Sequence, residues 1–168
     1  MKKIILSIFF IAILICDSKA QENVPSTALS DSIEIVKTLI RKNGSVTSYA
    51  IGIYGTLSNQ FQRFIYLLNN LNTEQFIGLT KDTSTSLRIY AYAALAYNHY
   101  KDFKQLKIRF EIDSTLIQYR SGCLGGHVKA NVIIAKQKQW YSKTTVTYAL
   151  KQQKEDRSFW YTNYVFRN

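Results

Sequence analysis

The sequence predicts an all-α fold of short, stacked antiparallel helices, ending in a basic, aromatic part over residues 120–168 that leaves room for strands. Three observations carry this. Apolar residues recur at three- and four-residue spacing in successive segments between residues 31 and 96. Ser, Asn or Thr precedes most of these segments, where a helix N-cap is wanted, and the links are only a few residues long. The 168 residues contain one Pro and seven Gly, too few for a disordered or linker-rich chain, while an apolar fraction of 46% suits one core.

The N-terminus reads as an export signal over residues 1–20. Lys2 and Lys3 precede an uncharged apolar run from Ile4 to Ile15. As a helix that run spans about 18 Å, well short of a hydrocarbon core of roughly 30 Å. Ser18 and Ala20 place small residues at a cleavage site before Gln21. Cys16 offers a minor alternative, acylation as a lipoprotein, although Ile15 stands where a lipobox has a small residue. Cleavage after Ala20 removes three basic residues and one acidic residue, so the net charge falls from +11 to +9. It also leaves Cys123 as the one thiol, so no internal disulfide is expected. The protein is then periplasmic or secreted, with no transmembrane helix left after cleavage.

Residues 21–30 are polar, contain Pro25 and are expected to be a flexible lead-in. Residues 31–119 are expected to form the helical domain. Ile33, Val36, Leu39 and Ile40 share a helix face, with Ser30 or Asp31 as cap and Gly44 past the end. Tyr49, Ala50, Ile53 and Tyr54 predict a short second helix ending at Gly55. Ser58 caps a third, with Phe61, Phe64, Ile65, Leu68 and Leu71 on its buried side. Asn72 or Thr73 opens a fourth through Phe76, Ile77 and Leu79. Ser84 caps a fifth, carrying Leu87, Tyr90, Ala91, Ala94 and Leu95. Residues 103–119 fit either a helix or an extended segment, and Val128–Ala135 either a strand or a buried helical turn. Thr144–Tyr148 is rich in β-branched residues and predicts a short strand.

The segment Asp82-Thr83-Ser84-Thr85-Ser86-Leu87-Arg88, continuing to Ala94-Leu95, resembles the second half of a HEAT repeat. In that pattern an Asp in the inter-helix turn precedes an aliphatic–Arg pair, then a small residue and an Ala-Leu pair. Asp82, Leu87, Arg88, Ala91, Ala94 and Leu95 match it, over about residues 75–96. With Ser121-Gly122-Cys123 following, the chain also resembles uncharacterised exported bacterial proteins with HEAT-like helices. The resemblance implies a stacked helical superhelix, with Asp82 reaching turn amides and Arg88 a neighbouring loop. It implies no catalytic residues.

Few residues offer chemistry. Cys123 and His127 are four apart in a Gly-rich stretch, the spacing of a thiol nucleophile with a base or of half a metal site. A third member is not evident: Asp113 is the nearest preceding acid, none lies between His127 and Glu155, and His99 is the other histidine. No catalytic set, metal site or cofactor is therefore expected, and Gly122, Gly125 and Gly126 lack the Lys-Ser/Thr ending of a phosphate loop. Tyr90 and Tyr97 share a helix face and read as core or groove lining. Residues 127–168 hold eight Lys and Arg against Glu155 and Asp156, interleaved with aromatics. Lys136, Lys138, Trp140, Lys143, Arg157 and Trp160 are accordingly the candidate contact residues for an anionic partner. Export argues against nucleic acid. The expected function is an exported, non-catalytic domain binding an unidentified protein or anionic envelope surface. The alternative is a small periplasmic enzyme using Cys123 with His127.

Overall fold

Val46 and Thr47 are β-branched, and Gly52 and Gly55 bracket Ile53-Tyr54; together they build a strand and a tight turn where a second helix was expected. Both glycines have positive φ (76° and 64°), and Gly55 N–H donates to the Gly52 carbonyl at 3.2 Å. A helix cannot run through two left-handed residues. The computed structural model describes residues 26–136 and 141–167. The signal segment 1–20 with Cys16, residues 21–25, Lys138 and Trp140 lie outside the described residues.

In chain order the elements are helix α1 (Ser26–Asn43), strands β1 (Ser45–Ile51) and β2 (Thr56–Leu57), and helices α2 (Asn59–Asn70), α3 (Thr73–Leu79), α4 (Thr85–Tyr97) and α5 (Phe103–Glu111). Strands β3 (Leu116–Gly122) and β4 (Leu124–Lys129) follow, then helices α6 (Ala130–Ala135), α7 (Lys143–Glu155) and α8 (Arg157–Trp160), and a π-helical turn over Tyr161–Val165. The all-α expectation is thus wrong: the fold is mixed, 63% helix and 16% strand. Its sheet has the order β2-β1-β3-β4, with β1 parallel to β3 and the other pairs antiparallel. The strands also begin far upstream of residue 120, and β3 crosses the expected 119/120 boundary. Thr144–Tyr148 is helical instead of extended. Ser142 caps α7 by accepting the Thr145 N–H at 3.1 Å, and Val146, Ala149 and Gln153 are buried at helical spacing.

Helix α1 begins at Ser26, inside the expected lead-in and upstream of the expected Ser30 or Asp31 cap, so residues 26–30 are helical; helices α2, α3 and α4 lie where their apolar periods put them. Gly44, at φ 64°, ends α1 and donates to the Ile40 carbonyl at 3.1 Å. The Ser58 hydroxyl accepts the Phe61 N–H at 3.2 Å, and Asn72 with Gln75 forms a reciprocal capping box at 2.9 Å each way. Ser84 occupies the N-cap of α4, but its hydroxyl meets Ser86 and makes no capping bond. Helix α4 is buried nearly all round, from Leu87 through Leu95 with the exception of Arg88, so it is the axis of the helical layer. Asp82 accepts the Ser84 N–H at 2.8 Å and Arg41 Nη2 at 2.8 Å. Arg88 donates to the carbonyls of Asp82 and Thr83 at 3.1 Å each, and to Asp113 Oδ2 at 2.9 Å.

Strand β1 joins the two layers. Strand β2 reaches it only at Ala50 and Ile51, so the rest of that edge needs other partners. Side chains and one loop amide supply them. Gln60 Nε2 donates to the Ser45 carbonyl at 2.9 Å, the Thr47 N–H donates to the Tyr90 hydroxyl at 3.0 Å, and the Ser58 N–H donates to the Tyr49 carbonyl at 3.0 Å. Tyr90 is itself held against Phe64, rings stacked 5.0 Å apart.

Two predictions follow from these contacts. Tyr90→Phe keeps the ring but leaves the buried Thr47 N–H without that acceptor, and should cost about 1–3 kcal/mol. Urea unfolding should show a lower midpoint at unchanged slope, and an unshifted midpoint contradicts the edge account. Acid should also destabilise the fold. For Asp82, burial alone raises the carboxyl's pKa, but the Arg41 hydrogen bond and the Ser84 amide outweigh it and hold it below the usual range. Asp113 is lowered in the same way: burial is outweighed by Thr115 and Arg88. A depressed native pKa stabilises above the unfolded value of about 3.9 and is lost as pH falls through the native values. Melting temperatures should therefore drop between about pH 5 and about pH 2, with a weaker drop in Asp82→Asn.

Candidate functional site

Cys123 sits at the tip of the β3–β4 hairpin. Ser121 pairs with Leu124 across a two-residue loop, and Gly122 takes φ 53° at the first loop position, as a type II′ turn requires. Cys123 is exposed and free. His127 lies up strand β4, opposite Gln118. Four residues of extended chain put the two Cα atoms on the order of 10 Å apart. No three His, Cys, Asp or Glu side chains gather into a metal-holding group among the described residues. The structure therefore does not bring the sequence-predicted pair together.

The basic C-terminal candidates are dispersed as well. Lys136 is exposed just past α6, while Lys143 opens α7 and Arg157 opens α8. The length of α7 separates the last two by about 20 Å. Trp160 is buried at 7% exposure, packed on Phe159 and Tyr164 with ring centroids 5.6 and 5.0 Å away. It belongs to an aromatic cluster that seats the C-terminus and offers no contact surface.

A different place stands out. In the sheet, Val46, Ile117, Tyr119 and Val128 face the core. Alternation sends Ser45, Thr47, Gln118, Arg120 and His127 to the opposite face. The registers agree: Thr47 pairs with Arg120, Ser45 with Gln118, and Gln118 with His127. Ser45 and Thr47 are buried there because the start of α2 covers them. Gln60 binds the Ser45 carbonyl, and the Thr47 and Ser58 hydroxyls meet at 2.5 Å. What remains open is a cavity of about 280 Å³ lined by Asn43, Thr47, Ser58, Gln60, Gln118 and Arg120. A second hollow of about 480 Å³ adjoins it through Ile51 and Arg120 and runs to Gly122 and Leu124 at the hairpin tips. A Cβ on Gly125 would lie 3.4 Å from Arg120 Cγ, so glycine there leaves room for the arginine stem across β4.

No family model, no curated protein and no solved structure matches this chain. The chemistry of the face is therefore read from its own residues. The four strands contain Arg120 and Lys129 as their charged side chains, and no acid. Arg41 and Arg88 are paired to Asp82 and Asp113. Arg63 is buried and donates to the carbonyls of Val165 and Arg167, burial lowering its pKa. The Arg120 side chain, by contrast, is exposed and has no hydrogen bond or ion pair among the described residues. A cation beside a hydroxyl-and-amide floor with no competing carboxylate can receive an oxyanion in charge-assisted hydrogen bonds. Sequence reading missed Arg120. The available signal was the uncharged stretch from Asn43 to Gln62, together with a segment 114–129 whose charges are all positive.

The separation of Cys123 from His127 has a direct consequence. Alkylation of Cys123 should proceed at the same rate in His127→Ala as in the parent, followed by mass spectrometry at neutral pH. A tenfold slower variant would restore the thiol–base pair.

Proposed function

We propose that this chain is an exported, non-catalytic binding domain that receives an anionic partner on the acid-free face of its sheet, with Arg120 as the charged contact. One observation carries the reading: Arg120 is uncommitted in a face without carboxylates, while Arg41, Arg63 and Arg88 are all engaged internally. The export half of the proposal rests on residues 1–20. The helical layer belongs to it as a support, with α3 and α4 as one HEAT-like unit whose Asp82, Leu87, Arg88, Ala91, Ala94 and Leu95 serve packing and turn closure. The enzymatic alternative has the weaker support, since Cys123 at the hairpin tip and His127 on β4 stand apart.

The test is an NMR titration of the protein with inorganic phosphate at low and high salt. Shifts should concentrate on Thr47, Gln60, Gln118 and Arg120 and fade as salt rises. Arg120→Gln should remove them while changing stability by no more than about 0.5 kcal/mol, because the side chain is exposed and unpartnered. Shifts spread over the whole basic surface, unchanged in the variant, would refute the reading.

A further inference from the structure

We infer that the anionic partner is a phospholipid surface, entered by two apolar loop tips beside Arg120; this deepens the Arg120 reading and rests on it. Ile53 and Tyr54 occupy the two outermost positions of the Gly52–Gly55 turn and are 75% and 90% exposed. Leu124, next to the β3–β4 tip, is 77% exposed. Single exposed apolar residues are ordinary, but these three are held at one end of the sheet. The Gly52 N–H donates to the Gly122 carbonyl at 2.8 Å, which ties the two tips side by side.

The occupant follows from charge, size and depth. From Asn43 to Gln62 and from Ser114 to Val128 the charged side chain is Arg120 alone, so the tips enter an apolar medium without burying a carboxylate or an ammonium. Three side chains make too small a patch for a stable protein interface, which needs about 800 Å² from each partner. A bilayer demands no matching shape, and tyrosine with aliphatic neighbours suits its interfacial zone. Arg120 lies two residues back from Gly122, about 7 Å along the strand. Tips immersed by about 5–10 Å, the usual depth of interfacial segments, would set its guanidinium level with the lipid phosphates. The overall positive charge attracts such a surface from a distance, and the attraction is screened by salt.

The test uses the chain from Gln21 onward, which holds every described element and lacks the apolar segment 4–15. Vesicles of phosphatidylglycerol in phosphatidylethanolamine should co-sediment it, and pure phosphatidylcholine vesicles should not. A polarity-sensitive fluorophore on Cys123, beside Leu124, should shift to the blue on the anionic vesicles. Ile53→Ser/Tyr54→Ser and Arg120→Gln should each weaken binding at least tenfold. All these side chains are exposed, so the fold should survive, as circular dichroism will verify. Equal binding by the double serine variant, or no binding to anionic vesicles, overturns the inference. If vesicle binding fails while phosphate still shifts the Arg120 surroundings, the lipid inference falls alone; if both fail, the Arg120 reading falls with it.

Discussion

The fold depends on how the free edge of β1 is satisfied. A buried strand edge presents backbone N–H and C=O groups that each cost about 1–3 kcal/mol if left unpaired. Here the missing strand is replaced by Gln60, Tyr90 and the Ser58 amide. All three residues are at most 3% exposed, so water cannot take over the task. This lets the helices α2 and α4 abut the edge of the sheet directly, and the hydrogen bonds fix where they sit along β1.

Helix α2 extends the same device outward. Its apolar side, with Phe61, Phe64 and Ile65, packs into the core. Its buried polar residues reach three separate elements. Gln60 holds β1, Gln62 accepts from Gln153 of α7 at 2.9 Å, and Arg63 holds the carbonyl of Val165 at 3.0 Å. A buried guanidinium has to find acceptors, and chain-end carbonyls satisfy it without a second charge. The C-terminal aromatic cluster is consequently seated by a cation from the middle of the chain. Trp160 lies inside, packed on Tyr164, although Arg157 and Phe159 are exposed.

The helices were legible where period and cap coincided. Ser58 before Phe61 and Asn72 before Phe76 gave both signals, and both are observed. Strand β1 was illegible because its first four residues, Ser45 to Ser48, are all buried, so the alternation that marks a half-exposed strand is absent. Its long-range parallel pairing with β3 leaves no local mark either. In α7 the β-branched Thr144, Thr145, Val146 and Thr147 misled in the opposite direction. Local strand preference is weak there, and the Ser142 cap together with burial of Val146 and Ala149 decides for helix. The candidate site suffered from the same limitation. Counting Lys and Arg by segment located the charge in residues 127–168, but a cation's availability depends on which carboxylates and carbonyls the fold places beside it, and that is set by pairs as distant as Arg41 and Asp82.

That sorting of arginines also accounts for the surface. Arg41, Arg63 and Arg88 are each tied to another part of the chain: Arg41 at the surface to Asp82, buried Arg63 to the Val165 carbonyl, and half-buried Arg88 to Asp113. The acids that answer them, Asp82 and Asp113, sit in the helical layer, on the connections before and after α4 and α5. Strands β1 and β3 carry no carboxylate, and the edge of β1 is closed by neutral groups. The charged side chains left on the strands are Arg120 and Lys129, both positive. Arg120 stands where the covered, hydroxyl-lined floor gives way to the open hollow leading to the tips, which is why the proposed contact is assigned to it.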